Sequence, residues 1–135
     1  SDNADYFIYK FNISKKDQKR LKIIDNFYNE KITLTSFTEK NLNKIFYYYG
    51  KQAVIDIVSF RLFTLKKVDK KLFNFIEIFE SKTLPIMPIN AKILMEKYHI
   101  PEGINLGNKL KMIEEKWVSN NFQLSEKQIN EVISG

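Results

Sequence analysis

Residues 84–122 read LPIMPINAKILMEKYHIPEGINLGNKLKMIEEKWVSNNF, and the order of their helix breakers carries the most specific structural signal in the chain. Pro85 and Pro88 enforce an extended segment, because the residue before a proline avoids the α region. Asn90 is placed to cap a short helix running to His99, which Pro101 and Gly103 close. Beyond that turn Leu106, Leu110, Ile113 and Trp117 recur at i, i+4, i+7 and i+11, the stripe of one buried helix face. Gly107 lies inside that segment and Phe122 ends it. Ser125 then caps a last helix with Gln128 completing a capping box, and Ile129 and Ile133 give it an inward face.

The segments upstream carry the same helical period. Ser14 is a good N-cap with Asp17 in a capping-box-like place, and Leu21, Ile24 and Tyr28 form a stripe that fades near Glu30, before KITLTSF. Thr38 caps the next helix, Glu39 suits its first turn, and Leu42, Ile45, Phe46 and Tyr49 line one face until Gly50 stops it. In KQAVIDIVSFRLFTL, Val54, Ile57, Val58 and Phe60 leave few polar faces, which predicts a buried central helix. Asp69 caps a further helix whose inner face is Leu72, Ile76 and Phe79. No sustained alternation and no Asn-Gly or Asp-Gly hairpin signal occurs. The expectation is an all-α, irregular bundle of about six or seven helices. Residues 1–9 read as a tag remnant or linker, 10–84 as a helical body and 85–135 as a helical tail.

Composition narrows the function classes. Hydrophobic residues at 44% argue against disorder, and no apolar run nears the ~20 residues a bilayer crossing needs. Without cysteine there is no disulfide, thiolate nucleophile or cysteine-based zinc site. No secretory signal pattern is present, so a cytoplasmic, non-membrane setting is expected. A net charge of +6 favours polyanionic partners. It is discounted because lysine, asparagine, isoleucine, phenylalanine and tyrosine together reflect an AT-rich coding bias, with Arg20 and Arg61 the only arginines.

On these elements the chain resembles the carboxyl-terminal, RNA-holding region of bacterial tRNA nucleotidyltransferases, the CCA-adding enzymes and the related poly(A) polymerases. The likeness runs over about residues 10–134. It is carried by ISKKDQKRL, FYYYGKQAVIDIVSF, the Pro85/Pro88 loop, Pro101-Glu102-Gly103, Leu106-Gly107, Glu114 with Trp117, and Phe122. The family usually has glycine and an acidic residue where this chain has Ala91 and Ile93, and another glycine near Tyr98 and His99. The resemblance implies a poly(A) polymerase C-terminal-region-like fold that grips tRNA or other structured RNA. Its 3′ end would be held for a catalytic head outside this stretch, which would use Mg2+ and nucleoside triphosphates.

The residues themselves offer several candidate contacts. Gly103 and Gly107 flank a helix start, where unpaired N–H groups and the positive dipole end suit a phosphate, with Lys109 and Lys111 in its first turns and Lys92 on the helix before. The alternatives are a left-handed turn at Gly103 and close helix packing at Gly107. Lys15, Lys16, Lys19, Arg20 and Lys22 crowd the first helix, and Lys66, Lys67, Lys70 and Lys71 one interhelical turn. Either group would track a backbone if it faced one way, or form a solvated face. Arg61, inside an apolar helix, is either the ion-pair partner of Asp56 or Glu77 or a phosphate contact at a groove edge, and the ion pair is the preferred reading. Tyr47, Tyr48 and Tyr49 could stack on bases in principle, but the expectation is one ring in the core and two at its rim. His99 is the single histidine, so no metal site is expected, and Asp25, Asp56 and Asp69 stand apart, so no catalytic set is expected. The competing reading is a helical protein-interaction or assembly module, basic only through codon bias and marked by an exposed apolar patch.

Overall fold

The computed structural model describes Asp5, residues 13–29 and residues 37–135. The expectations for residues 1–12, Asp5 apart, and for 30–36 lie outside the described residues. Among the described residues the fold is all-α, with seven helices and no strand: α1 Lys15–Asn29, α2 Glu39–Tyr49, α3 Lys51–Thr64, α4 Lys70–Ser81, α5 Ala91–Glu96, α6 Ile104–Ser119 and α7 Glu126–Ser134. The chain divides into two compact units, Ser1–Thr83 and Leu84–Gly135.

Local chemistry sets these helix starts. The Asn41 N–H donates to Thr38 Oγ1 at 3.2 Å, the Lys71 N–H to Asp69 Oδ1 at 2.9 Å, and the Ile93 N–H to Asn90 Oδ1 at 2.9 Å. Ser125 and Gln128 complete a reciprocal capping box at α7. Each bond satisfies an N–H that has no partner inside its own helix.

In the first unit α3 is the central helix and packs against α1, α2 and α4. Ala53, Val54, Ile57 and Val58 are its buried side, meeting Leu42 and Phe46 of α2 and Leu72, Phe75 and Phe79 of α4 in the core. The Phe46 and Phe79 rings lie 5.5 Å apart. Phe60 does not join this core. It is 45% exposed and Phe63 is 90% exposed, because both fall on the side of α3 that faces away from α2 and α4. On α4, Phe75 is buried while Ile76 is only half-buried. α1 buries no residue fully; Leu21, Ile24 and Tyr28 are half-buried along α3. Gly50 joins α2 to α3 alone, at φ 94 and ψ 172, a region open essentially to glycine.

The second unit is built on α6, which packs against α5 and α7. Leu94, Ile100, Leu106, Ile113, Ile129 and Val132 form its core. α5 ends at Glu96, short of His99, and the Ile100 N–H closes the turn by donating to the Leu94 carbonyl at 3.2 Å. His99 there adopts φ 58. A side chain in this left-handed region costs about 1–2 kcal/mol relative to glycine. At the end of α6 Asn121 takes φ 53 and the Phe122 N–H donates to the Trp117 carbonyl at 2.8 Å. The Trp117 and Phe122 rings meet edge to face at 5.0 Å, the apolar clasp of a Schellman stop.

Candidate nucleic-acid interface

The positive charge is not spread along the chain. Ser1–Thr83 holds sixteen Lys and Arg against ten Asp and Glu, whereas Leu84–Gly135 holds six against six. The first unit therefore carries the whole net +6 and the second is neutral. This moves the electrostatic weight away from the proline- and glycine-marked tail, where the sequence signal was most specific.

In the tail the start of α6 is open. Gly103 caps it at φ 149 with no side-chain hydrogen bond, and Ile104 is 86% exposed. Gly107 faces solvent in the second turn, and a Cβ added there would meet nothing within 4 Å. The close-packing alternative for Gly107 is thereby overturned. Lys92 and Lys111 are exposed.

Lys109 is a correction. It is 9% exposed, and its ammonium donates to the main-chain oxygens of Val132 at 2.9 Å, Ile133 at 3.1 Å and Gly135 at 2.6 Å. Its charge is spent on the carbonyl end of α7, where the helix dipole is negative, and is closed to an outside phosphate. The signal was present in the sequence: Lys109 lies three residues after Leu106 and four before Ile113, on the buried stripe itself.

Arg20 is also engaged. Its Nε and Nη2 donate to Asp56 Oδ2 and Oδ1, each at 2.8 Å, a bidentate pair that also places Nη1 at 3.5 Å from Asp17. Burial pushes the Asp56 carboxyl up, but hydrogen bonds from Arg20 and Gln52 outweigh it and hold the group below its ordinary value. Arg20, not Arg61, is thus the partner of Asp56. Arg61 is half-buried and lines a hollow of about 160 Å³ with Phe37, Leu65 and Asp69. Tyr28 donates its hydroxyl to the Ile57 carbonyl at 2.9 Å; burial, only partly offset by the Arg61 charge, pushes that hydroxyl up to about 12.

Several other lysines of the first unit are exposed, whereas Lys82 is half-buried and held by Asn43 at 2.9 Å and Glu39 at 3.5 Å. Lys15, Lys19 and Lys22 recur at i, i+4 and i+7 on one exposed face of α1, opposite Leu21, Ile24 and Tyr28, and Asn26 extends the line at i+11. The three ammonium stems span about 10 Å of helix axis. Lys16 is exposed beside them. Lys66, Lys67, Lys70 and Lys71 are all exposed in the turn from α3 into α4. Because α3 ends at Thr64, Lys66 and Lys67 lie past its carboxyl terminus and make no part of its last turn.

Four of these lysines stand at helix starts: Lys15 and Lys16 open α1 beside Asp17, and Lys70 and Lys71 open α4 behind the Asp69 carboxylate that caps it. A cation there is unfavourable by about 0.3–1 kcal/mol at low ionic strength, and in both helices a neighbouring acid offsets it.

Between α1 and α3 runs an apolar groove of about 770 Å³ lined by Ile13, Leu21, Ile24, Phe60 and Phe63, with the Arg20–Asp56 pair on its wall. Of the tyrosines, Tyr47 is half-buried, while Tyr48 and Tyr49 are 51% and 58% exposed. The core position is taken by Phe46 instead. Among the described residues no group of His, Asp or Glu is arranged to hold a metal ion, and no helix is long and apolar enough to cross a membrane. No family model, curated protein or solved structure matches the chain.

Proposed function

We propose that this chain binds structured RNA, with tRNA the leading candidate, through phosphate contacts made mainly by its first unit. In this reading it is the RNA-holding part of a protein of the tRNA nucleotidyltransferase or poly(A) polymerase kind, with a poly(A) polymerase-like helical fold. The observation that carries the proposal is the segregation of the entire +6 charge onto one unit. On that unit, exposed lysines form a row along α1 and a cluster in the turn from α3 into α4. Double-stranded RNA is held largely by its shape, phosphates and 2′-hydroxyls. Lys15, Lys16, Lys19, Lys66 and Lys67 supply phosphate contacts, and Lys92, Lys111 and the open start of α6 supply secondary ones. The fragment contributes by positioning the 3′ end, which lowers the entropic cost of a reaction carried out elsewhere. Mg2+ and nucleoside triphosphates would belong to that catalytic part.

The test is tRNA binding across a salt series. Affinity should fall steeply, and replacing Lys15, Lys19 and Lys22 by Gln should flatten the log–log slope by about 0.7–0.9 for each phosphate no longer neutralised. A flat salt response, or no binding at low ionic strength, removes the proposal.

A protein-interaction role is the second reading, favoured by Phe63 and Phe60 beside the α1–α3 groove. Under it Phe63→Ser would abolish an assembly seen by sedimentation, and the unaltered chain would show no salt-dependent tRNA binding.

A further inference from the structure

Tyr49 is the last residue of α2 and is 58% exposed. Gly50 follows it at φ 94 and turns the chain away, with no side chain to screen the ring. Tyr48 differs, since it packs edge to face on Tyr47 with ring centroids 5.1 Å apart. Tyr49 lines a shallow hollow of about 80 Å³ with Ile45 of α2 and Ile23, Asn26 and Phe27 of α1. Asn26 is the continuation of the Lys15, Lys19, Lys22 face. The lysine line therefore runs along α1 to a tyrosine ring at its far end.

We infer that Tyr49 is a stacking platform for an unpaired base of the bound RNA, next to the backbone held by Lys15, Lys19 and Lys22. The inference rests on the RNA-binding reading and adds the substrate feature: a single-stranded nucleotide adjoining a duplex. Basic grooves that track a backbone and aromatic rings that take successive bases are the two parts of single-strand recognition. Both parts meet here on one helix pair. The amide of Asn26 beside the ring can donate or accept and so meets the edge of any base, while stacking itself tolerates every base because each has a π face. The platform therefore selects for an unpaired nucleotide rather than for a sequence.

The experiment compares two RNA probes, a blunt hairpin and the same hairpin with four unpaired adenosines at its 3′ end, by fluorescence anisotropy at low salt. The whole chain binds the tailed hairpin more tightly than the blunt one. Tyr49→Ala weakens the tailed hairpin by about 5- to 150-fold, the range alanine substitution gives for one stacked base, and leaves the blunt hairpin unchanged. Tyr49→Phe keeps the preference for the tail, and Lys19→Gln weakens both probes alike. If Tyr49→Ala leaves the tailed hairpin unaffected, or weakens both probes equally, the stacking site is wrong while RNA binding stands. If neither probe binds the unaltered chain, the RNA-binding reading fails and the platform with it.

Discussion

Replacing Lys109 by Met tests how the second unit is held together. Methionine keeps an unbranched apolar stem in the space beside α7, so the packing loss is small. The ammonium and its three bonds, to Val132, Ile133 and Gly135, disappear. A bond to a charged group contributes about 1.5–3 kcal/mol net. Only the bond to Val132 is fully buried; the other two oxygens are partly exposed and can turn to water. Counting the first in full and the others fractionally gives a loss of about 2–3 kcal/mol. Trp117, the single tryptophan, is 2% exposed in α6 and reports unfolding of this unit by fluorescence. In urea the transition should move down by about 1–2 M at unchanged slope, given the usual slopes for small domains. RNA affinity, measured where the variant is folded, should stay the same. A midpoint within about 0.3 M of the parent would refute the capping role of Lys109, and a weakened RNA affinity would return Lys109 to the interface.

Three further outcomes follow from the geometry. Asp56→Asn removes the carboxylate that Arg20 grips and should cost the first unit about 1–2 kcal/mol at pH 7, measured by urea unfolding. Because the folded carboxyl lies below its ordinary 3.8, its contribution is fully present above that value and is lost as pH falls below it; the parent's acid loss should steepen below about pH 4 and Asp56→Asn should flatten that limb. Gly50→Ala should destabilise by about 1–3 kcal/mol through backbone strain alone, as an added Cβ meets nothing within 4 Å at φ 94. Gly107→Ala, in an open helical position, should instead stabilise by about 0.5–1 kcal/mol, and equal signs for the two glycines in thermal melts would contradict the assignment.

Helix starts were legible because their causes are local. Thr38, Asp69, Asn90 and Ser125 each bond an N–H two or three residues on, so the cap and its target lie in one short window of sequence. The α6 stripe was legible for the same reason of period. What the residues alone did not yield depends on where helices cross. Arg20 and Asp56 stand 36 positions apart, whereas Arg61 shares a helix with Asp56 and reads as its partner in the sequence; the true pairing emerges only with α1 laid along α3. Phe60 and Phe63 fit an apolar helix, but only the arrangement of α1, α2 and α4 around α3 decides which side stays open. The candidate interface shifted for another reason: the Pro85/Pro88 boundary and the runs of lysine were both visible, and counting charge on either side of that boundary separates a net-positive unit from a neutral one.

Lys51 shares the arrangement of Lys109, its Nζ donating to the Glu80 carbonyl at the end of α4 at 2.6 Å. Lysine count in this chain therefore overstates the cationic valence a polyanion can neutralise, since some ammonium groups already serve as counterions to helix termini. An acylating reagent should sort the two populations, labelling the α1 row early and Lys109 last, and neutralising Lys109 would loosen the fold rather than the ligand.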